Sequence, residues 1–570
     1  MYPCKLVNSL DMTMYCPIIV PMYIDEVPNR NSRPAILLRQ AHREGRKIIK
    51  QTLANLTDWP ADRIDALRRV LRGEKLVPIS EVLSIERSKP HGHVAAILRI
   101  THRLGLAHLL GTKRCRKRDL VVAMIAERLI HPCSKLGCTR DWNDTTLAGE
   151  LGVADADVDE LYDALDWLLA RQRRIERKLA DRHLAADDWV LYDVTSSFYE
   201  GKTCPLAHRG HDRDGKKGLP IIVYGVMTDR AGRPVAVQVY PGNTGDPTTV
   251  PDQVEKLRVR FNLSRAVLVG DRGMLTQARI KELKKHSGLG WISALRSGSI
   301  RTLLEEGSLH ASLFDARNLA EIESPEFPGE RLVACFNPDL AERRRHKRDD
   351  LLVATEGELT RIAAAVARRT RKPLTKDEIG VKLGKVIGRF KMGKHFTWTI
   401  EDGAFDWSRR EDAIRQEAAL DGIYVVRTTE PVARLSPEDA VRGYKSLARV
   451  EETFRCLKGS DLRIRPIRHR TEDHVRAHVF LCVLAYYVEW HLRQAWAGLL
   501  FQDEELDEAR RRRDPVAAAR PSVSAQEKKR TRRTPDGLPV QSWDTLLAHL
   551  ATRTRNDCRF RSPEDRKSVV

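Results

Sequence analysis

The chain has 570 residues, and a single hydrophobic core rarely exceeds about 250–300, so several domains are expected. With 42% hydrophobic and 31% charged residues, the composition is globular and not that of a disordered chain. Lys and Arg outnumber Asp and Glu by 99 to 78, a formal charge of +21 that excludes little but favours a polyanionic partner, nucleic acid first.

Residues 1–90 form an N-terminal region to which no chemistry is assigned. Their opening run, broken by Lys5, Asn8 and Asp11, makes a poor signal peptide. A strand is expected at 17–24 and a strand or helix at 46–56. From 91 to 185 the period becomes helical, with helices expected at 94–104, 117–130 and 145–151 and a long amphipathic run at 158–179. Lys113, Arg114, Arg116, Lys117 and Arg118 stand beside a helix start and could seat a DNA backbone; a solvated basic turn is the alternative. The ten cysteines include no zinc-type CxxC pair, and His131 with Cys133 and Cys138 reads as ordinary residues near a helix end. A reduced cytosol fits that usage.

At 186–296 the period shifts to strands. Trp189-Val190-Leu191-Tyr192 reads as a buried strand closed by Asp193, with Ser196 and Ser197 following. Strands at 219–227 and 234–240 continue a meander, and a helix is expected at 250–260. Ala266-Val267-Leu268-Val269-Gly270 is wholly apolar, as in a strand buried on both faces, and ends at Asp271 and Arg272. A helix at 275–285 and a strand at 290–294 complete this part. Residues 297–420 read as an insertion, helical over 339–371 and strand-rich over 393–400.

A strand at 422–427 opens the last part, 421–500, and leads into a helix over 436–458. Ser436 and Pro437 mark its start and Gly459 its stop. Leu447, Val450, Phe454 and Leu457 form its core stripe; Tyr444, Glu451, Arg455 and Lys458 share one flank, and Glu452 points away. Taken alone, that flank is an ordinary row of i,i+4 pairs, Glu451 with Arg455 among them. A basic run at 463–470 and an apolar helix at 471–500 follow, and residues 501–570 read as a basic, flexible tail. The longest apolar run, 479–488, is too short to span a bilayer.

The fold expected is α/β, a mixed sheet with an insertion, preceded by a helical domain. Strand ends in such a sheet converge on one edge. Asp193, Asp271 and Glu451 brought there would repel one another unless a cation neutralised them, and oxygen donors suit Mg²⁺ or Mn²⁺. Two such ions would serve in-line attack on a phosphodiester, with surrounding cations holding the nucleic-acid backbone. No histidine is placed to activate Ser196 or Ser197, which read as cleft-lining residues.

Three runs carry a resemblance: Leu191-Tyr192-Asp193-Val194-Thr195-Ser196-Ser197, Pro241-Gly242-Asn243-Thr244-Gly245-Asp246 and Val269-Gly270-Asp271-Arg272-Gly273-Met274. In order, they resemble the DDE transposases of bacterial insertion sequences. Tyr444, Glu451 and Lys458, spaced by seven, resemble the tyrosine–arginine–glutamate–lysine signature of one subgroup, although Leu447 stands where that subgroup commonly has arginine. The resemblance covers about 91–500. It implies a ribonuclease H-like core, a metal-binding triad of Asp193, Asp271 and Glu451, and DNA contacts by Tyr444, Arg455, Lys458 and Arg272. It also implies two Mg²⁺ or Mn²⁺ ions, cleavage at terminal inverted repeats, strand transfer into target DNA, a homodimer on paired ends and a cytoplasmic place at the nucleoid. The alternatives are a stand-alone nuclease on the same fold and an inactive transposase-derived DNA-binding protein. The latter should have lost one acid, and all three are present.

Overall fold

A computed structural model describes residues 22–30, 32–74 and 83–560. The opening residues, Cys4, Cys16 and the first part of the strand expected at 17–24 lie outside them. Two compact units are present, one formed by residues up to Ser88 and from Asn556 onward, the other spanning Lys89–Arg555. In the first, β1 (Met22–Val27), β2 (Ala35–Glu44) and β3 (Lys47–Asn55) form an antiparallel meander, followed by a helix, Ala61–Leu71, and β4 (Leu83–Pro90). The segment left open as strand or helix is therefore a strand.

The second unit is built on one eight-stranded sheet. Its strands are β5 (Trp189–Phe198), β6 (Ile221–Thr228), β7 (Pro234–Pro241), β8 (Ala266–Val269), β9 (Leu289–Ala294), β10 (Leu319–Ile322), β11 (Arg331–Phe336) and β14 (Ile423–Thr428). A separate hairpin is made by β12 (Phe396–Glu401) and β13 (Ala404–Arg409). The sheet order is β10-β11-β14-β9-β8-β5-β6-β7. Within it, β5, β6 and β7 pair antiparallel while β5, β8 and β9 pair parallel. Three antiparallel strands followed by two parallel ones make the ribonuclease H-like core. The four residues of β8 are all buried, as a strand covered on both faces requires.

Several expectations need correction. The sheet does not stop at β9: β10 and β11 extend it by antiparallel pairing to β14, inside the stretch read as an insertion. Alternation in β11 explains why, since Val333 and Cys335 enter the main core while Leu332 and Ala334 enter a second one with Ile300 and Leu303. What projects beyond the sheet is the pair of helices Pro338–Ala367 and Lys376–Phe390 with the β12–β13 hairpin and the helix Glu411–Ala418. The run at 158–179 is two helices, Val158–Leu169 and Gln172–His183. Nor is the helical region a separate body: its residues share one core with the sheet, through the long buried helix Glu472–Ala495.

The tail, expected to be flexible, holds the helices Leu506–Arg512, Val523–Thr531 and Trp543–Ala551. Trp543 is buried beside Trp496, and the Lys528 ammonium donates to the carbonyl of Ala497 at 3.0 Å. Among the described residues no helix is long and apolar enough to cross a membrane.

Candidate active site

Asp193 lies mid-strand, not at a strand end: β5 continues to Phe198 because its other edge stays paired, Asp193 opposite Val226. On the β8 side the ladder stops two residues earlier, with Leu191 level with Val269. Continuing that register by two residues sets Asp193 level with Asp271, on the same face of the sheet. Adjacency across a parallel pair thus takes the place of two strand ends, and the two acids still lie side by side.

Asp271 is held by its own turn. Its Oδ2 accepts from the Gly273 N–H at 3.1 Å, and its carbonyl accepts from Met274 and Leu275. The Tyr444 hydroxyl donates to Asp271 Oδ1 at 3.3 Å. Asp193 Oδ1 accepts from the Val194 N–H at 2.7 Å. Burial, and then the charge of Asp271, push the Asp193 carboxyl up to about 7, although the Val194 N–H and Arg213 act the other way.

Glu451 arrives on a separate element. The helix expected over 436–458 is in fact two, Pro437–Lys445 and Ala448–Lys458. The break falls at Ser446-Leu447, where the Leu447 N–H bonds to Tyr444 in a tightened turn. The first helix lies close on the sheet: a Cβ on Gly443 would stand 2.7 Å from Ile292 Cδ1. The second lays Phe454 against Tyr224, ring centroids 6.2 Å apart. Tyr224 is opposite Thr195, which shares a face with Asp193, so this helix covers the acid-bearing face. Burial raises the Tyr444 pKa, and the carboxylates of Asp271 and Glu451 raise it further. Tyr444 therefore feels both acids.

Glu451 and Arg455 are exposed and, among the described residues, form no ion pair with each other or with another side chain. Arg272 is exposed too, in the turn after Asp271. Lys458 is placed differently: its side chain is 11% exposed and its Nζ is 2.9 Å from Asp214 Oδ1. Asp214, 1% exposed, also takes Arg465 at 2.5 Å and the Phe198 N–H at 3.1 Å. This buried anion ties the end of the glutamate's helix to the end of β5. Beside it, Arg213 holds Asp246 at 2.5 and 2.6 Å. Neither Arg213 nor Asp214 was found from sequence; they sit in a polar, glycine-bounded loop with no period to read.

Ser196 and Ser197 do not line a cleft. Both are fully buried, Ser196 donating to the His211 carbonyl and Ser197 bonded to Tyr224. Glu452 faces a cavity of about 770 Å³ with Arg449, Arg493 and Trp543, which contains none of the three acids. The basic turn at 113–118 is largely neutralised: Arg116 pairs with Asp155 and Glu160, Lys117 with Asp163, and Arg114 and Arg118 with Asp119. Charge there no longer argues for a DNA contact.

Asp193, Asp271 and Glu451 are not one of the groupings, among the described residues, whose ligand atoms all lie within 4.8 Å of one another. Their donors are all hard oxygens, which fits Mg²⁺ or Mn²⁺, and the raised Asp193 pKa is what such an ion would relieve.

A family model described as a transposase DDE domain matches residues 195–488, just over half of the chain; the match includes Asp271 and Glu451 and begins two residues after Asp193. No curated protein matches. Among solved structures, the chain is similar to a piggyBac transposase in a synaptic complex with hairpin DNA. The identity is 10% over 80% of this chain and 76% of that one, with a TM-score of 0.35, too low to carry an inference.

Proposed function

The chain belongs to the family of transposases with this DDE domain, and on that premise we propose that it cleaves DNA at terminal inverted repeats and transfers the 3′ ends into target DNA. Enzymes of this family are in general metal-dependent and act on DNA. One observation supports the reading: the β5–β8 register, carried on by two residues, sets Asp193 level with Asp271, whose carboxylate accepts from Tyr444 just ahead of the helix that bears Glu451.

Asp193, Asp271 and Glu451 would hold the metal, Mg²⁺ or Mn²⁺, as two ions. Bound there, these supply Lewis-acid activation of the attacking water or 3′-hydroxyl and charge stabilisation at the departing oxygen. The chain's own part is placement. Register fixes Asp193 against Asp271, and Tyr444 with the Gly273 N–H orients the Asp271 carboxylate. Arg272 and Arg455, exposed and without ion pairs among the described residues, bind phosphates of the DNA. Tyr444 and Lys458 are also assigned to the DNA path, but Asp271 and Asp214 engage their polar atoms, so a phosphate reaches them only by sharing those partners. Two ends brought together call for a homodimer.

The test uses purified protein, the DNA flanking its own coding segment, and Mg²⁺. Wild-type protein should cut that DNA and join pre-cleaved ends to a target. Asp193→Ala should still bind it while cutting about 10³-fold or more slowly. Cleavage by Asp193→Ala at the wild-type rate would refute the assignment. Cutting without joining would make the chain a nuclease on the same fold.

A further inference from the structure

A second cluster of ligating side chains lies in the helical region. Glu127 and His131 stand one turn apart at the end of the helix Arg116–Ile130, whose C-cap is His131. Pro132 and Cys133 follow, and Ser134 caps the short helix Lys135–Asp141, which returns Asp141 to the same place. One ligand atom each from Glu127, His131, Cys133 and Asp141 lies within 4.8 Å of all the others. His131 Nδ1 is 3.2 Å from Asp141 Oδ2, and Cys133 Sγ is 3.3 Å from Cys138 Sγ.

Burial singles this cluster out. Glu127 is 1% exposed, yet its Oε2 has no hydrogen-bond partner among the described residues. A buried carboxyl in that state stays ionised only if a cation meets it, and otherwise takes up a proton. The neighbouring arginine does not: Arg128 donates to the Cys133 carbonyl at 3.0 Å and forms no ion pair with Glu127. Glu127 forms the floor, Cys133 and Asp141 are half-buried, and His131 is exposed, so an ion has a path from solvent. The other such grouping, Cys456 with Asp461 and Glu489, differs, because Arg493 already bridges its two carboxylates at 2.9 and 2.6 Å.

We propose that Glu127, His131, Cys133 and Asp141 form a structural zinc site that clamps the two helices across the turn at 131–134. One thiolate, one imidazole and two carboxylates make a four-ligand, mixed N/S/O set, which suits Zn²⁺ and not the Mg²⁺ of an all-oxygen site. On binding, the Cys133 thiol gives its proton to solvent as the zinc–sulfur bond forms. Cys138 then donates its S–H to the bound thiolate, and Arg128 braces the loop.

The test takes full-length protein kept reduced with a phosphine, exposes it to Zn²⁺ and dialyses it against metal-free buffer. About one zinc per chain should remain. It should be lost from the variant with His131→Ala and Cys133→Ser but kept by Asp193→Asn, which separates this site from the acid cluster on the sheet. Co²⁺ added to zinc-free wild-type protein should give a thiolate-to-cobalt charge-transfer band, absent in Cys133→Ser. No retained zinc and no cobalt band in the wild type, which needs no variant to fold, would overturn the proposal. So would equal zinc in the double variant.

Discussion

At Asp193 the chemistry and the stability of the chain are coupled. Its carboxyl titrates near 7 in the fold against an ordinary 3.8, so the folded state holds that proton more tightly than the unfolded chain does. The favourable contribution of the protonated form is complete below about 4 and is lost as pH rises through about 7. Without divalent ion, Asp193→Asn should therefore be more stable than wild type at pH 8, by about 1–3 kcal/mol, with the difference vanishing near pH 4. Thermal melting across that range checks it. Protons also compete with metal, so the Mg²⁺ concentration giving half-maximal stabilisation should rise roughly tenfold per unit below pH 7. A pH-independent Mg²⁺ requirement would contradict the placement of Asp193. Residues of this kind are only partly legible in sequence. Asp193 and Asp271 stand out because each ends an apolar run, but the offset that sets them level belongs to a parallel pairing that no local pattern encodes. His131, Cys133 and Cys138 stand out as a group but lack zinc spacing, and Glu127 and Asp141 join them from two helix ends that only folding brings together.

Among elements, the helix Ala448–Lys458 depends on what holds its two ends. Its start is set by the turn at Ser446-Leu447, and its end by the buried Asp214 with Lys458 and Arg465. Removing one partner of such a network leaves charges buried without compensation, which costs about 3–5 kcal/mol. Asp214→Ala should lower the unfolding free energy by about that amount. Cleavage should also fall in preparations still folded, because Glu451 loses its register. Wild-type stability in that variant would show that the ion pairs are not structural. Sequence periodicity could not have placed the kink: 436–458 is a good helix by capping and stripe, and the break follows from seating Gly443 against Ile292 and Trp189. The insertion boundary slipped for a similar reason. β10 has four residues and β11 six, too short for a period-2 signal to separate them from loop.

Over the whole molecule, internal ion pairs such as Arg116 with Asp155 and Lys117 with Asp163 take one charge of each sign and leave the excess of 21 positive charges intact. What remains should act through phosphates. If about 6–10 phosphates are contacted, DNA affinity should fall by about 10³–10⁵ between 50 and 200 mM salt. A salt-independent affinity would contradict a backbone-led interface. The meander β5-β6-β7 and the helices after β7 and β8 were legible from apolar runs and period, while the placing of β8 beside β5 was implied only by the resemblance. The folded C-terminal part was not legible, because Trp543 and Lys528 find their buried partners only on a distant helix end. The central claim is that Asp193, Asp271 and Glu451 share one metal site, and replacing the ion by Fe²⁺ with ascorbate and peroxide tests it without DNA. Hydroxyl radicals released there should cut the polypeptide near 193, 271 and 451 together, and all three cuts should disappear in Asp193→Asn. Cuts near only one of the three, or cuts that persist in the variant, would contradict it.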